Sequence, residues 1–180
     1  MNHDAEEIVW AGKYIVTKRR GPWEYVGRAR GIGAAVILAV EVGPEGPWVL
    51  LVEQWRVPLQ RRCLELPAGL VGDETQGEDV AISAARELEE ETGWRADRIE
   101  ILGEFASSPG MVSETFTLVT AHGLTKVGEG GGVPGEDIKV HRVALDAVAD
   151  FIASKRAEGC AIDVKLLLLL ATNMLPSPRT

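Results

Sequence analysis

The stretch Gly33 to Val42 constrains the fold more than any other part of the chain. It is an almost unbroken run of alanine, valine, isoleucine and leucine. A run without polar alternation suits a strand covered on both faces, not one with a wet side. Gly43-Pro44-Glu45-Gly46-Pro47 then reads as a turn, and Trp48 to Trp55 returns as the next strand. Two adjacent buried strands demand layers of other structure over them.

The rest of the sequence supplies those layers. Ile8 to Arg20 mixes β-branched and aromatic residues, Gly21-Pro22 breaks it, and Trp23 to Arg28 resumes, so residues 1–31 read as a strand-and-hairpin segment ahead of a main domain at 32–180. Leu64 to Leu66 is a short extended piece stopped by Pro67-Ala68-Gly69. A helix follows from Thr75 to Thr92. Thr75 and Glu78 have capping-box spacing at its start, and Gly93 has the place of the left-handed residue that ends helices. Ile99 to Phe105, Thr115 to His122 and Asp137 to Val143 read as strands, and Leu145 to Ala157 and Ile162 to Met174 as helices. Val127 to Gly135 is glycine-rich without a period and reads as a mobile loop. Strands alternating with helices give a mixed sheet with helices packed on it, an α/β or α+β sandwich.

Charge and cysteine content narrow the function classes. The chain has 180 residues and a formal net charge of −8, which opposes general binding to nucleic acid or to an anionic membrane surface. Ala34 to Val40 and Leu166 to Ala171 are the longest apolar runs, well short of the roughly 20 residues of a membrane span. Cys63 and Cys160 are scattered thiols, the acidic start is not a secretory leader, and a cytoplasmic protein is expected.

The chemistry concentrates on the helix ending at Thr92. At helical spacing Val80, Ala84 and Leu88 face a core. Glu87 with Glu91, and Glu87 with Glu90, then share a stripe. Like charges at this spacing cost a helix roughly 0.2–0.5 kcal/mol per pair. A hard divalent cation, which prefers carboxylate oxygens, would remove that repulsion. Arg86 offsets part of the charge through its forked donors. Taken alone, such a stripe reads more readily as a solvated acidic face.

The wider spacing decides between these. Gly72, Glu78, Arg86, Glu87, Leu88, Glu90, Glu91, Gly93 and Trp94 match the box of the Nudix hydrolase family, and the chain resembles that family from about Val36 to Leu170. Glu65-Leu66-Pro67-Ala68-Gly69 leaves two candidates for the first box glycine: Gly72, or Gly69 with a three-residue insertion before the helix. The resemblance implies a Nudix fold, an α/β/α sandwich with a mixed sheet. It implies Mg2+, or Mn2+ in its place, held by Glu87, Glu90, Glu91 and the backbone carbonyl of Ala68, with Arg86 and Glu90 taking part in catalysis. Glu65 stands equally as a further carboxylate ligand or as a strand-end charge paired to an arginine, whereas Glu78 fits a helix cap better than a ligand.

Two further segments, Gln54-Trp55-Arg56 and Ser108-Pro109-Gly110-Met111-Val112-Ser113-Glu114, resemble the ADP-ribose pyrophosphatase branch and its relatives acting on other nucleoside diphosphate sugars. In that branch a proline about 15 residues past the box accompanies ADP-ribose, and Pro109 stands there. By the same resemblance, Arg56 contacts a phosphate or ribose, and Glu114 belongs to the substrate site. Trp23, Glu24 and Arg28 build part of a base pocket that reaches across a homodimer. The general base is expected on the loop before Glu136-Asp137-Ile138, where Glu136 fits; Glu129, Glu114 or a box glutamate are the alternatives.

Overall fold

The computed structural model describes residues 5–72 and 77–174. Three strands open the chain, β1 (Glu7–Ala11), β2 (Ile15–Arg20) and β3 (Trp23–Arg28), joined as a small antiparallel sheet of their own. The expected strand from Ile8 to Arg20 is thus two strands. The chain reverses at Gly12, where the Trp10 ring lies over the glycine and the Gly12 N–H donates to the Ile15 carbonyl at 2.9 Å.

The main sheet is built around β4 (Gly33–Gly43) and β5 (Gly46–Arg56), the two apolar runs. Next in the chain come β6 (Arg61–Glu65), β7 (Ala68–Val71), the helix α1 (Val80–Thr92), and the strands β8 (Trp94–Arg95), β9 (Arg98–Ala106), β10 (Thr115–His122) and β11 (Thr125–Lys126). The chain closes with β12 (Lys139–Ala144), α2 (Val148–Ala157), β13 (Ala161–Ile162) and α3 (Leu167–Met174). The sheet runs β13-β6-β5-β4-β10-β9, with β12 on β5 and β7 on β4, while β8 and β11 form a separate ribbon. It is mixed: β4 pairs β10 in parallel, Val36 opposite Leu118, and β5 antiparallel.

The continuous apolar run follows from what covers each face. Ala35, Ile37 and Ala39 of β4 pack with Leu50 of β5 beneath Ala84 and Leu88 of α1. Val36 points the other way, with Val49, Leu51 and Leu64, beneath Val148 and Ile152 of α2 and Leu166. Neither face of the central strands meets water, so alternation has nothing to encode. The result is the α/β/α sandwich expected. Among the described residues no helix is long and apolar enough to cross a membrane.

Four local expectations change. The helix α1 starts at Val80, not Thr75, because Asp79 caps it: its Oδ1 accepts from Ala81 N at 2.8 Å and Ile82 N at 3.4 Å. Thr75 lies outside the described residues, and Glu78 precedes the helix and does not cap it. Pro67 does not stop the extended chain; its carbonyl accepts from Ile37 N at 2.8 Å, and the next residues pair with β4 as β7. Ile162 belongs to β13, paired with β6, and Asp163 caps the turn before α3 by accepting from Lys165 N at 2.8 Å. The glycine-rich loop is not loose but seated on the end of α1: Val127 N and Gly128 N donate to the Gly93 carbonyl, Gly131 N to Glu91 and Gly132 N to Glu90, all at 2.8–3.0 Å. Its lack of period reflects a backbone that packs without side chains.

Replacing Asp79 by alanine is expected to destabilise the protein by about 1 kcal/mol, the usual worth of an N-cap. Asp79→Ser should restore most of it in a denaturant melt.

Candidate active site

The strand β7 and the helix α1 lie against each other along their length, and this packing orients the carboxylates. Ser83 Oγ donates to the Leu70 carbonyl at 3.1 Å. One turn further on, Glu87 folds against Gly69 so closely that a Cβ at Gly69 would lie 2.0 Å from the Glu87 carboxyl carbon. One turn beyond that, Glu91 Oε2 accepts from Ala68 N at 3.0 Å. A side chain at Gly69 would therefore push the Glu87 carboxylate out of this position.

Arg86 distributes one positive charge among three carboxylates. Its guanidinium lies 3.0 Å from Glu87 Oε1, 3.0 Å from Glu90 Oε2 and 3.7 Å from Glu78 Oε2. That leaves the stripe short of positive charge. Burial raises the Glu87 carboxyl above its ordinary value, Glu90 and Glu136 push it further, and Arg86 opposes them. Glu91, 6% exposed, is pushed up to about 8. Burial is the largest cause; the charges of Glu87 and Glu136 add to it, while the Ala68 N–H and Arg56 oppose it.

A cleft of about 420 Å³ opens over these groups. The helix contributes Arg86, Glu87, Glu90 and Glu91 to its wall, and β7 contributes Ala68 and Gly69. Arg56 faces them from β5, its Nε and Nη2 forked on Glu65 at 2.6 and 2.7 Å. Glu65 pairs with Arg56, as one of its two readings expects, and holds Arg56 toward the cleft.

Arg28 enters from β3, its Nε donating to Glu114 Oε1 at 2.5 Å. The backbone joins the two segments here, since Val26 N donates to the Met111 carbonyl and Ser113 N to the Val26 carbonyl, both at 2.9 Å. Glu136 closes the cleft on the loop side, where its Oε2 accepts from Val133 N at 3.0 Å.

Several expected residues lie elsewhere in this chain. Trp23 and Glu24 sit at the solvent-facing tip of the β2–β3 hairpin, Trp23 at 63% exposure. Pro109 is exposed in the turn closed by Met111 N on the Ser108 carbonyl. Glu129 pairs with Lys126 in solvent at 3.3 Å. Conversely, Gln54 lines the cleft without having been given a role, and Gly69, one of the two candidate box glycines, lines it too. Gln54 was findable, because residues two apart on a strand share a face and Arg56 was already identified.

The residues fit a divalent cation by donor chemistry. Among the described residues no three acidic, histidine or cysteine side chains are already gathered around one point. Glu87 and Glu90 lean on Arg86, and Glu91 on a backbone N–H. Yet all three are hard oxygen donors on adjacent turns, and the raised Glu87 and Glu91 carboxyls are those that a dication would most relieve.

A family model described as the NUDIX domain matches residues 30–161. The methanol dehydrogenase activator of Bacillus methanolicus is 35% identical over 125 residues, 69% of this chain and 64% of that protein. The ADP-ribose pyrophosphatase of Bacillus subtilis (strain 168) is 33% identical over 124 residues, 68% of this chain and 64% of that protein. The chain therefore spans a little under two thirds of the length of these two relatives. A solved structure titled as an ADP compounds hydrolase superposes with a TM-score of 0.68 over 94% of this chain and 91% of its own, at 20% identity, which shows a shared fold.

Proposed function

The chain belongs to the Nudix family, and from that premise we propose that it hydrolyses the diphosphate of a nucleoside diphosphate sugar, ADP-ribose first among them, giving AMP and ribose 5-phosphate. One observation carries the reading: Glu87, Glu90 and Glu91 share a single cleft with Arg28, Arg56 and Glu136. Acidic residues on one side and cations on the other suit an anionic substrate bridged by metal.

In this reading Glu87, Glu90, Glu91 and the Ala68 carbonyl hold Mg2+. When bound, the cation neutralises phosphate oxygens and makes water more acidic. Arg56, braced by Glu65, and Arg28, braced by Glu114, orient the diphosphate. Glu136 takes a proton from the attacking water. The water oxygen bonds to one phosphorus, that phosphorus parts from the bridging oxygen, and the bridging oxygen leaves with the other phosphate. Arg86 holds Glu87 and Glu90 in register.

Ile8, Val9, Trp10 and Trp23 expose apolar surface on the N-terminal sheet, at 53–63% each. A homodimer through this sheet would cover them and, in this reading, bring a partner copy's Trp23 and Glu24 toward the cleft. A monomer by light scattering would remove that part of the reading.

A panel of ADP-ribose, GDP-mannose, other nucleotide sugars, dinucleoside polyphosphates and oxidised nucleoside triphosphates tests the function, with Mg2+ present and phosphate counted after phosphatase treatment. ADP-ribose should be consumed fastest, and chelation should stop it. Preference for GDP-mannose would move the substrate within the class. Tight binding of a nucleotide sugar with no cleavage of any would make the chain a binding module.

A further inference from the structure

The segment carrying Glu136 is fixed at both ends. On one side the Gly131 and Gly132 amides sit on the end of α1. On the other side Asp137, the residue after Glu136, is gripped from β6 by Arg62. Arg62 Nη2 donates to Asp137 Oδ2, and Nη1 donates to the Asp137 carbonyl at 3.2 Å. The same Nη1 donates to the Glu53 carbonyl at 3.2 Å, and Nε lies 3.5 Å from Glu53 Oε1. One guanidinium therefore joins the side chain and the backbone of Asp137 to the body of the sheet.

A residue that merely neutralised Glu53 would not need this geometry. Glu53 is buried, its side chain 5% exposed, but it already faces Lys155 at 3.1 Å, His141 at 3.2 Å and Lys139 at 3.8 Å. Asp137 is 75% exposed in its side chain and gains nothing for the core by being held. The grip acts instead on the backbone next to Glu136, whose other tie is to Val133: Glu136 N donates to the Val133 carbonyl and Val133 N to Glu136 Oε2, both at 3.0 Å. Arginine suits it because a planar fork can bind a carboxylate and two carbonyls at once, which an ammonium on a flexible stem does not reproduce.

We propose that Arg62, braced by Glu53 and acting through Asp137, is a positioning residue that aims Glu136 into the cleft. The inference rests on the reading of Glu136 as the base. Its test measures kcat and KM with Mg2+ and ADP-ribose, or the best substrate of the panel. The variants are Asp137→Ala, Arg62→Ala, Arg62→Lys, Glu136→Gln and the Asp137→Ala/Glu136→Gln double.

Asp137 is exposed, so Asp137→Ala folds whatever becomes of the Arg62 variants. It should lower kcat by about tenfold with KM unchanged, since a small misplacement of a reacting group is felt in the chemical step. Arg62→Ala and Arg62→Lys should match it. Glu136→Gln should cost about 10²-fold, and Asp137→Ala should add nothing to it, because two changes on one path do not add. Normal kcat in Asp137→Ala with a slow Glu136→Gln overturns the positioning role alone. An equal further loss on top of Glu136→Gln overturns it too. Normal kcat in Glu136→Gln removes the base and the positioning role together.

Discussion

Glu91→Gln is expected to lower turnover by about 10³-fold while leaving the cation-free protein more stable than the parent. The two effects share one cause. Glu91 is 6% exposed, and burial together with the charges of Glu87 and Glu136 pushes its carboxyl up to about 8. Without a cation the folded protein must keep this carboxyl protonated at neutral pH while the unfolded chain ionises it, which costs stability increasingly as pH rises from the ordinary carboxyl value towards 8. Glutamine keeps an oxygen to accept from Ala68 N, now at 3.0 Å, and has no proton to take up. The gain should be roughly 1–3 kcal/mol in the absence of metal.

The loss of activity follows from removing the same charge. A cation bound to a phosphate oxygen is worth several kcal/mol at the transition state, and about 4 kcal/mol is 10³-fold in rate. Melting curves with and without Mg2+ separate the two effects. The parent should gain stability with Mg2+ by mass action, whereas the variant should gain little. A variant less stable than the parent without metal would make Glu91 a structural residue and sink its role as ligand.

The elements that were legible from sequence are those whose signal is local. The two central strands announced themselves by an apolar run, and the carboxylate-bearing helix by the spacing of Leu88 and Ala84 beneath the glutamates. The errors fall where two distant segments meet. The helix begins at Val80, which packs against the core, and Asp79 just before it is the cap. The strand β7 was hidden by Pro67, which looks like a terminator until its carbonyl is seen to bond Ile37 N on another strand. The pairing of Glu65 with Arg56 needed the β5–β6 register, and the role of Arg62 needed Asp137, 75 residues away, beside it. The glycine loop misled most. Absence of side chains suggests freedom, whereas here it lets one backbone lie directly on another.

That packing gives Gly130→Ala a large expected effect. Gly130 has φ +68, and a Cβ there would lie 2.4 Å from the Thr92 carbonyl carbon, 2.6 Å from Glu91 O and 2.7 Å from Gly93 N. Every one of these is backbone, so no rotamer can relieve the overlap. The left-handed angle and the overlap together cost about 3 kcal/mol. Bending the end of α1 would disturb Leu88 and Thr92 in the core, so the loop is the part that yields. When it lifts, the bonds from Gly131 N to Glu91 O and Gly132 N to Glu90 O break. Those carbonyls belong to two of the proposed metal ligands, and Glu136 loses the near anchor of its loop. Turnover should fall by about 10²-fold, and the Gly131 and Gly132 amides should lose hydrogen-exchange protection while the strands β4 and β5 keep theirs. Gly31→Ala is the matched control: its φ is +64, yet nothing stands within 4 Å of the added carbon. It carries the strain without the overlap and leaves the loop seated. If the two variants behave alike, the contact between Gly130 and the helix end contributes nothing to the site.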